Sequence, residues 1–235
     1  RRARWRLDPL AVIGVSLVLL MVSLAIFAPW IAPYSPAKID VLNKLQGPSA
    51  PHWFGTDHLG RDLLSRVIYG ARTALSIAIV ATGTAGLCGL VLGLIAGYGP
   101  RWLDGALVLA FDSMNALPMI FFALAVITVL GPGTGTLILV IVLTSIPSYA
   151  RLTRAQTLAL KNAEYILAER SLGASPLRII LVHLLPNVVG PLVALLSMDI
   201  PVVIMVEAGL TFLGLGVRPP TPSWGSILYD SYTSL

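Results

Sequence analysis

The stretch TALSIAIVATGTAGLCGLVLGLIAGY, residues 73–98, carries no charged side chain. A helix rises about 1.5 Å per residue, so roughly 20 apolar residues cross the hydrocarbon of a bilayer. This run meets that length. Gly83, Gly86, Gly89, Gly93 and Gly97 recur along it, and the last three make two small-xxx-small steps. Such steps strip one helix face of side chains and let a second helix come close.

Working outward, comparable apolar segments lie near residues 10–32, 104–131, 136–152 and 181–206. Pro147 and Pro201 interrupt two of them, and Pro118 is expected to kink a third. Such prolines are tolerated where neighbouring helices or water-lined cavities satisfy the freed carbonyls. The chain is 56% hydrophobic and 11% charged, against roughly 25% charged in soluble domains. The sequence therefore predicts an all-α integral membrane protein with five transmembrane helices and a sixth beyond Leu235. The chain opens on Arg1 rather than Met and stops within a polar stretch, so it is expected to continue at both ends. Its first apolar run is too long for a cleaved signal peptide and lacks a small-residue cleavage site.

The net charge of +5 does not point to nucleic acid, because no basic stripe with interleaved aromatics is present. Cys88 sits alone in an apolar run, where a small buried residue is the expected reading. The cations instead flank the spans. With the N-terminus inside, the inner segments hold Arg1, Arg2, Arg4, Arg6, Arg101, Arg151, Arg154, Lys161, Arg170 and Arg178. The outer ones hold Lys38, Lys44, Arg61, Arg66, Arg72 and Arg218. The excess of Lys and Arg on the first side favours a cytoplasmic N-terminus. The tail from Arg218, with Pro219, Pro220 and Pro222, reads as loop, and Trp224 as an interface anchor.

Between two spans lies TRAQTLALKNAEYILAERSLGASPLRII, residues 153–180. It is polar and helix-friendly, with small Ala163, Ala168 and Ala174, and Gly173 with Pro176 makes a helix stop and turn. A short inner helix that docks in a partner's groove is the favoured reading. A plain solvated connector is the alternative.

Within it, AERSLGASPLRIILVHLLPN (168–187) resembles the EAA loop of binding-protein-dependent ABC importer permeases. Aligned on Gly173, the loop's closing Leu-Pro falls on Leu185 and Pro186. Leu167 occupies the motif's Glu position, Ala168 matches, Glu169 falls on the second Ala, and His183 replaces Ile. HWFGTDHLGRDLLSR (52–66) and FLGLGVRPPTPSWG (212–225) resemble two outer signatures of the dipeptide, oligopeptide and nickel branch, in its second, C-type permease. The resemblance covers nearly the whole chain and implies the type I importer architecture, with a further C-terminal helix. It implies residues 1–72 as tail, first span and periplasmic loop, and 73–235 as the core permease with its coupling loop near 153–180.

The resemblance also implies function. The chain would be a non-catalytic permease subunit in the bacterial inner membrane. Its partners would be a second, homologous permease, two ATP-binding subunits and a periplasmic or lipid-anchored solute-binding protein. ATP and Mg would belong to those ATPases, with no cofactor here. The sequence agrees in lacking GxxxxGK[ST], HExxH and GxSxG patterns. Ala168, Glu169, Arg170, Ser171, Gly173, Ala174 and Pro176 are the expected ATPase-coupling residues. Peptides are the expected cargo, with nickel or opine- and sugar-type solutes as alternatives. An ion-gradient transporter is the rival class, and it would show internal repeats and no docking loop.

Intramembrane ionisable groups mark solute pathways by default. Asp112 and Asp199 are the candidates, with pairing to a nearby Arg or helix capping as the alternative role. Glu207 sits at the outer end of the fifth span. In the outer loop, Gly55, Thr56, Asp57, Gly60, Arg61 and Asp62 form the signature. His52 and His58 beside Asp57 are metal-ligand types. A structural reading is preferred over a metal site, with Asp57–Arg61 and Asp62–Arg66 paired along a short helix.

Overall fold

A computed structural model describes residues 9–234. The tail cations Arg1, Arg2, Arg4 and Arg6, on which part of the orientation argument rests, lie outside the described residues, as does Leu235.

Helix α1 spans Pro9–Ile31, α2 Leu63–Tyr98, α3 Arg101–Asn115, α4 Met119–Leu130, α5 Thr134–Leu160 and α6 Glu164–Ser171. Helix α7 runs over Pro176–Phe212, with a π-helical stretch at Ile179–Leu184, and α8 covers Trp224–Thr233. Among the described residues the one β-type pairing is an isolated bridge between Thr56 and Asp62. Helices α1, α2, α5 and α7 are each long and apolar enough to cross a membrane. The pair α3 and α4 makes a fifth such unit, bent by 89°.

The kink expected at Pro118 in the third span is a full break between two helices. Pro118 lacks an N–H and disfavours helical backbone in the residue before it. The chain therefore breaks at Ala116–Pro118 and restarts at Met119. The predicted start of the second span is also ten residues late. Asp62 caps α2 by accepting from the Ser65 N–H, and Arg66 in the next turn is buried because acids meet it. A paired charge does not end a helix. For the same reason α5 continues past Arg151 and Arg154, which pair with Asp112 and Asp104.

Helix α2 is the central element and packs most extensively on α5. The glycine stripe forms this seam. A Cβ on Gly89 would stand 2.5 Å from Tyr149 Cβ, and one on Gly97 2.5 Å from Thr157 Cβ. The core continues through Ile77, Ala81 and Ala85 of α2, Ala123 and Ile127 of α4, Leu137 and Ile141 of α5, and Leu192, Val203 and Leu210 of α7. Cys88 packs against this cluster. Helix α1 packs on the outside of α2, with only Ala25 and Ala28 buried.

The tail is also not the predicted loop. Residues 224–233 are helical because Ser223 and Ser226 form a reciprocal capping box. Trp224 is half-buried and packs on its own chain. Its indole lies on Gly70 and its Nε1–H donates to the Val67 carbonyl at 3.1 Å.

Candidate functional site

Three regions carry the predicted functional residues. One end of the bundle gathers the C-terminus of α2, the N-terminus of α3, the C-terminus of α5, and α6. Here the Arg154 guanidinium grips Asp104 with two bonds of 2.5 and 2.7 Å, and Lys161 Nζ donates to the Gly97 carbonyl at 2.8 Å. These contacts put Arg101, Arg151, Arg154, Lys161, Arg170 and Arg178 around one end. Helix α1 finishes at the opposite end, where the Tyr34 N–H donates to Ser65 Oγ at 3.1 Å.

Helix α6 protrudes at the cationic end. Its one fully buried side chain is Ile166, which packs with Leu94, Ile179 and Leu184. Its C-terminus closes through Leu172 N to the Ala168 carbonyl, Gly173 N to that of Arg170 and Ala174 N to that of Glu169, each at 3.0 Å. Gly173 turns the chain with φ +84°, a conformation costly for any residue with a Cβ. Open space surrounds that position. Ser175 then caps α7 by accepting from the Arg178 N–H, with Pro176 in the first turn. Ala168, Arg170, Ser171 and Pro176 are exposed and Glu169 and Ala174 half-buried. Leu172 is 84% and Leu177 65% exposed. Glu169 faces His183 at 3.7 Å, and the Arg170 guanidinium lies 5.4 Å from the Tyr98 ring centre. Both charges thus brace α6 against its own chain. The π-helical turn follows at once. Such irregular turns recur at functional positions.

The second region is a cavity of about 420 Å³ between the α3–α4 break, α5 and α7. Asp199 lines it together with Asn115, Thr144, Ser145, Ser148 and Tyr149. Among the described residues Asp199 has no cation within ion-pair distance. Asp112 does not line the cavity. It is exposed and pairs with Arg151 at 3.2 Å, the alternative role weighed for it.

The third region is the outer-signature loop. The predicted Asp57–Arg61 pair forms at 2.6 Å; the predicted Asp62–Arg66 pair and the short helix do not. Residues 52–62 turn twice, with Gly55 and Gly60 at positive φ. At Gly60 a Cβ would collide with the Asp40 carbonyl oxygen at 1.7 Å. Asp62 is spent on capping α2 and on His52 Nδ1 at 2.9 Å. Arg66 turns instead to Asp57 and to Asp230, which it shares with Arg61, each at 2.8 Å. Thr56 Oγ1 donates to the Asn43 carbonyl at 2.5 Å. Burial alone would raise the Asp57 carboxyl. The N–H groups of Arg61 and Leu59 and the Arg61 guanidinium outweigh it and hold Asp57 below the usual carboxylate range. His58 joins Asp57 and Asp230 in a group whose ligand atoms lie within 4.8 Å of one another. Arg61 and Arg66 pair with both carboxylates and so tie α8 to this loop.

Sequence reasoning missed one participant, Asp230, and named another, Glu207, without giving it a role. Asp230 lies in the tail read as loop, and its one signal was the Ser223–Ser226 capping pattern. Glu207 is 0% exposed and accepts from Thr211 Oγ1 at 3.0 Å, while Thr211 Oγ1 accepts from the Val217 N–H at 3.1 Å. It thereby pins the second signature loop.

These features match known proteins. Residues 89–232 match the family described as binding-protein-dependent transport system inner membrane component. Residues 2–48 match the N-terminal transmembrane domain of oligopeptide transport permease C. The chain is 40% identical to the dipeptide transport system permease of Alkalihalophilus pseudofirmus, over 95% of this chain and 74% of that one. It is 41% identical to the di/tripeptide permease of Pseudomonas aeruginosa, over 92% and 73%. It is 42% identical to the glutathione permease of Escherichia coli, over 97% and 76%. In fold it resembles a chain of the MetNI methionine ABC transporter in inward-facing conformations, with TM-score 0.56 and 16% identity over 73% of this chain and 91% of that one. The chain therefore belongs to the inner-membrane permease family of binding-protein-dependent ABC importers, in its oligopeptide permease C branch.

Proposed function

We propose that this permease subunit carries peptides inward, and that the turn around Gly173 receives the motion of a nucleotide-hydrolysing partner. The observation that carries the proposal is α6 itself. It is an eight-residue helix held to the bundle by buried Ile166 and by Glu169 and Arg170, with Leu172 and Leu177 presented outward at the cationic end of the spans. Exposed leucines beside a tight helical turn fit a groove on another protein. With Arg1, Arg2, Arg4 and Arg6 of the N-terminal tail counted on this side, ten Lys and Arg flank it against six on the other, which supports a cytoplasmic face here, with the N-terminus inside and the signature loops outside. Peptide cargo is the reading favoured by the dipeptide and glutathione permeases among the relatives.

A second, related permease would complete the pathway, and residues 73–235 would form the paired core with 1–72 as its accessory. Two ATPases, holding ATP and Mg, would close on nucleotide and bias the pair between inward- and outward-open states. A binding protein would deliver cargo at the outer loops. Each ligand drives the cycle only through its preference for one state over the other. No metal is required in this subunit, because arginines hold the outer carboxylates.

Gly173→Val tests the coupling role. No neighbouring atom meets the added side chain, and the strain it puts on the φ +84° turn is local, so the subunit should reach the membrane and assemble with its turn distorted. Peptide uptake should fall at least tenfold while basal ATP hydrolysis persists. Uptake at the normal rate would remove the turn from the mechanism.

A further inference from the structure

We propose that the Asp199 cavity is a way-station for a protonated primary amine, so that this subunit itself reads the ammonium end of the solute in transit. The inference rests on the peptide-importer reading and names the chemistry that site would recognise.

Three observations carry it. Asp199 lies near the middle of the α7 span and opens into the cavity, with no cation within ion-pair distance among the described residues. A bare carboxylate at such depth is expensive, so a site that retains one is suited to a cation arriving from elsewhere. Next, Tyr149 is 0% exposed, and its hydroxyl has no hydrogen-bond partner. It is close enough to the Asp199 carboxylate for the two to interact, in a geometry that falls short of a regular hydrogen bond. A guest that reaches both would satisfy both. Finally, Ser145 and Ser148 add hydroxyl oxygens from α5, while Met114, Leu117 and Val206 give the remaining wall an apolar, adaptable surface.

The donor set selects the cation. An ammonium offers three N–H donors and no acceptor, which suits one carboxylate and two or three hydroxyl oxygens. A hard divalent ion takes six or more oxygens, usually with several carboxylates, and this cavity supplies one. A volume of about 420 Å³ admits a short peptide. The apolar wall would hold side chains without discriminating strongly among them, since a methylene difference in an apolar pocket is worth only about 10- to 200-fold.

The test uses the complete transporter, with partner permease, ATPases and binding protein, reconstituted in proteoliposomes. Uptake of dialanine is compared with that of N-acetyl-dialanine for the parent, Asp199→Asn, Asp199→Glu and Tyr149→Phe. Every variant meets the same binding protein, so a changed ratio between the two solutes belongs to the cavity. Asp199→Asn should lower dialanine uptake about tenfold or more, the loss expected when a charge-assisted bond becomes a neutral one. N-acetyl-dialanine uptake should stay where it was, Asp199→Glu should remain within about threefold of the parent, and Tyr149→Phe should lose several-fold. Should Asp199→Asn fail to assemble, the Glu and Phe variants decide by the same ratio. Unchanged dialanine uptake overturns the proposal. So does an equal loss for both solutes, which would assign the pair to assembly or proton relay. A parent complex that imports neither solute while hydrolysing ATP would instead sink the peptide reading, and this inference with it.

Discussion

Replacing Gly93 by alanine places one methyl group in the seam between α2 and α5. Built on the backbone, that Cβ stands 2.5 Å from the Ala150 carbonyl oxygen and 2.5 Å from Thr153 Cβ. Ordinary contact begins near 3.4 Å, so the helices must part by about 0.9 Å. Rotation of a flexible side chain offers no relief, because one obstacle is backbone and Ala150 and Thr153 are fully buried. Overpacking of this kind costs about 1–3 kcal/mol. Gly83→Ala is the control on the same helix, with nothing within 4 Å of its Cβ. There alanine's better helix propensity acts alone and stabilises by up to about 1 kcal/mol. The propensity gain is common to both variants, so they should differ by about 1–3 kcal/mol, the overpacking alone. At about 2–4 °C per kcal/mol for a chain of this length, Gly93→Ala should melt about 2–12 °C below Gly83→Ala. Thermal unfolding of the assembled complex in lipid nanodiscs, followed by tryptophan fluorescence, reads the difference. Equal midpoints, or a higher one for Gly93→Ala, would refute the close-packed seam.

The outer lock gives two more expectations. Arg66 is 2% exposed and joins Asp57 to Asp230, so Arg66→Ala should destabilise by about 3 kcal/mol or more, since it strands buried carboxylates. Arg66→Lys should recover only part of this in the same melts, because an ammonium cannot reproduce the guanidinium fork. Asp57 sits below its ordinary value of 3.8 in the folded chain. Its contribution is thus fully present above that value and is lost as pH falls through the lower folded one. The parent's midpoint should be steady from neutral pH to about 5 and fall below about 4. Asp57→Asn should start lower and show a shallower acid fall.

The apolar spans were legible because nothing in water tolerates them, and the glycine stripe because its spacing matches a helix face. Their ends were less legible. Arg66, Arg151 and Arg154 looked like terminators, yet their partners are far away in sequence or on another helix. Local reading has no access to Asp230 or Asp104 as partners, so it cut α2 and α5 short. Asp62 was assigned to Arg66 by i, i+4 spacing alone. That rule presumes a helix, which Gly55 and Gly60 prevent. Of the two intramembrane acids named in advance, burial pattern separated them only in three dimensions. Asp112 faces outward to Arg151, and Asp199 faces a space that the break at Pro118 opens. Asp230 and the α8 helix went unseen because three prolines outweighed a two-serine cap.

Helices α5 and α7, which precede and follow the α6–Gly173 segment, are also walls of the cavity. Helix α5 descends from Ser145 and Tyr149 to Lys161, and α7 climbs from Pro176 through the π-helical turn to Asp199. A displacement entering at Gly173 must therefore divide between these two. The division is unequal. Helix α5 is clamped to α2 along the glycine seam, whose contacts leave no slack, and 44% of its apolar window is buried. Only 22% of the α7 window is buried, and its first turns carry the irregular hydrogen bonding of Ile179–Leu184. Packed interfaces resist small shifts while loosely held elements absorb them. Under the proposed coupling role, α7 moves and α5 stays, so Asp199 shifts against a fixed Tyr149. The acid that would hold an ammonium then belongs to the moving wall, and the grip on cargo changes with the same motion that opens its path.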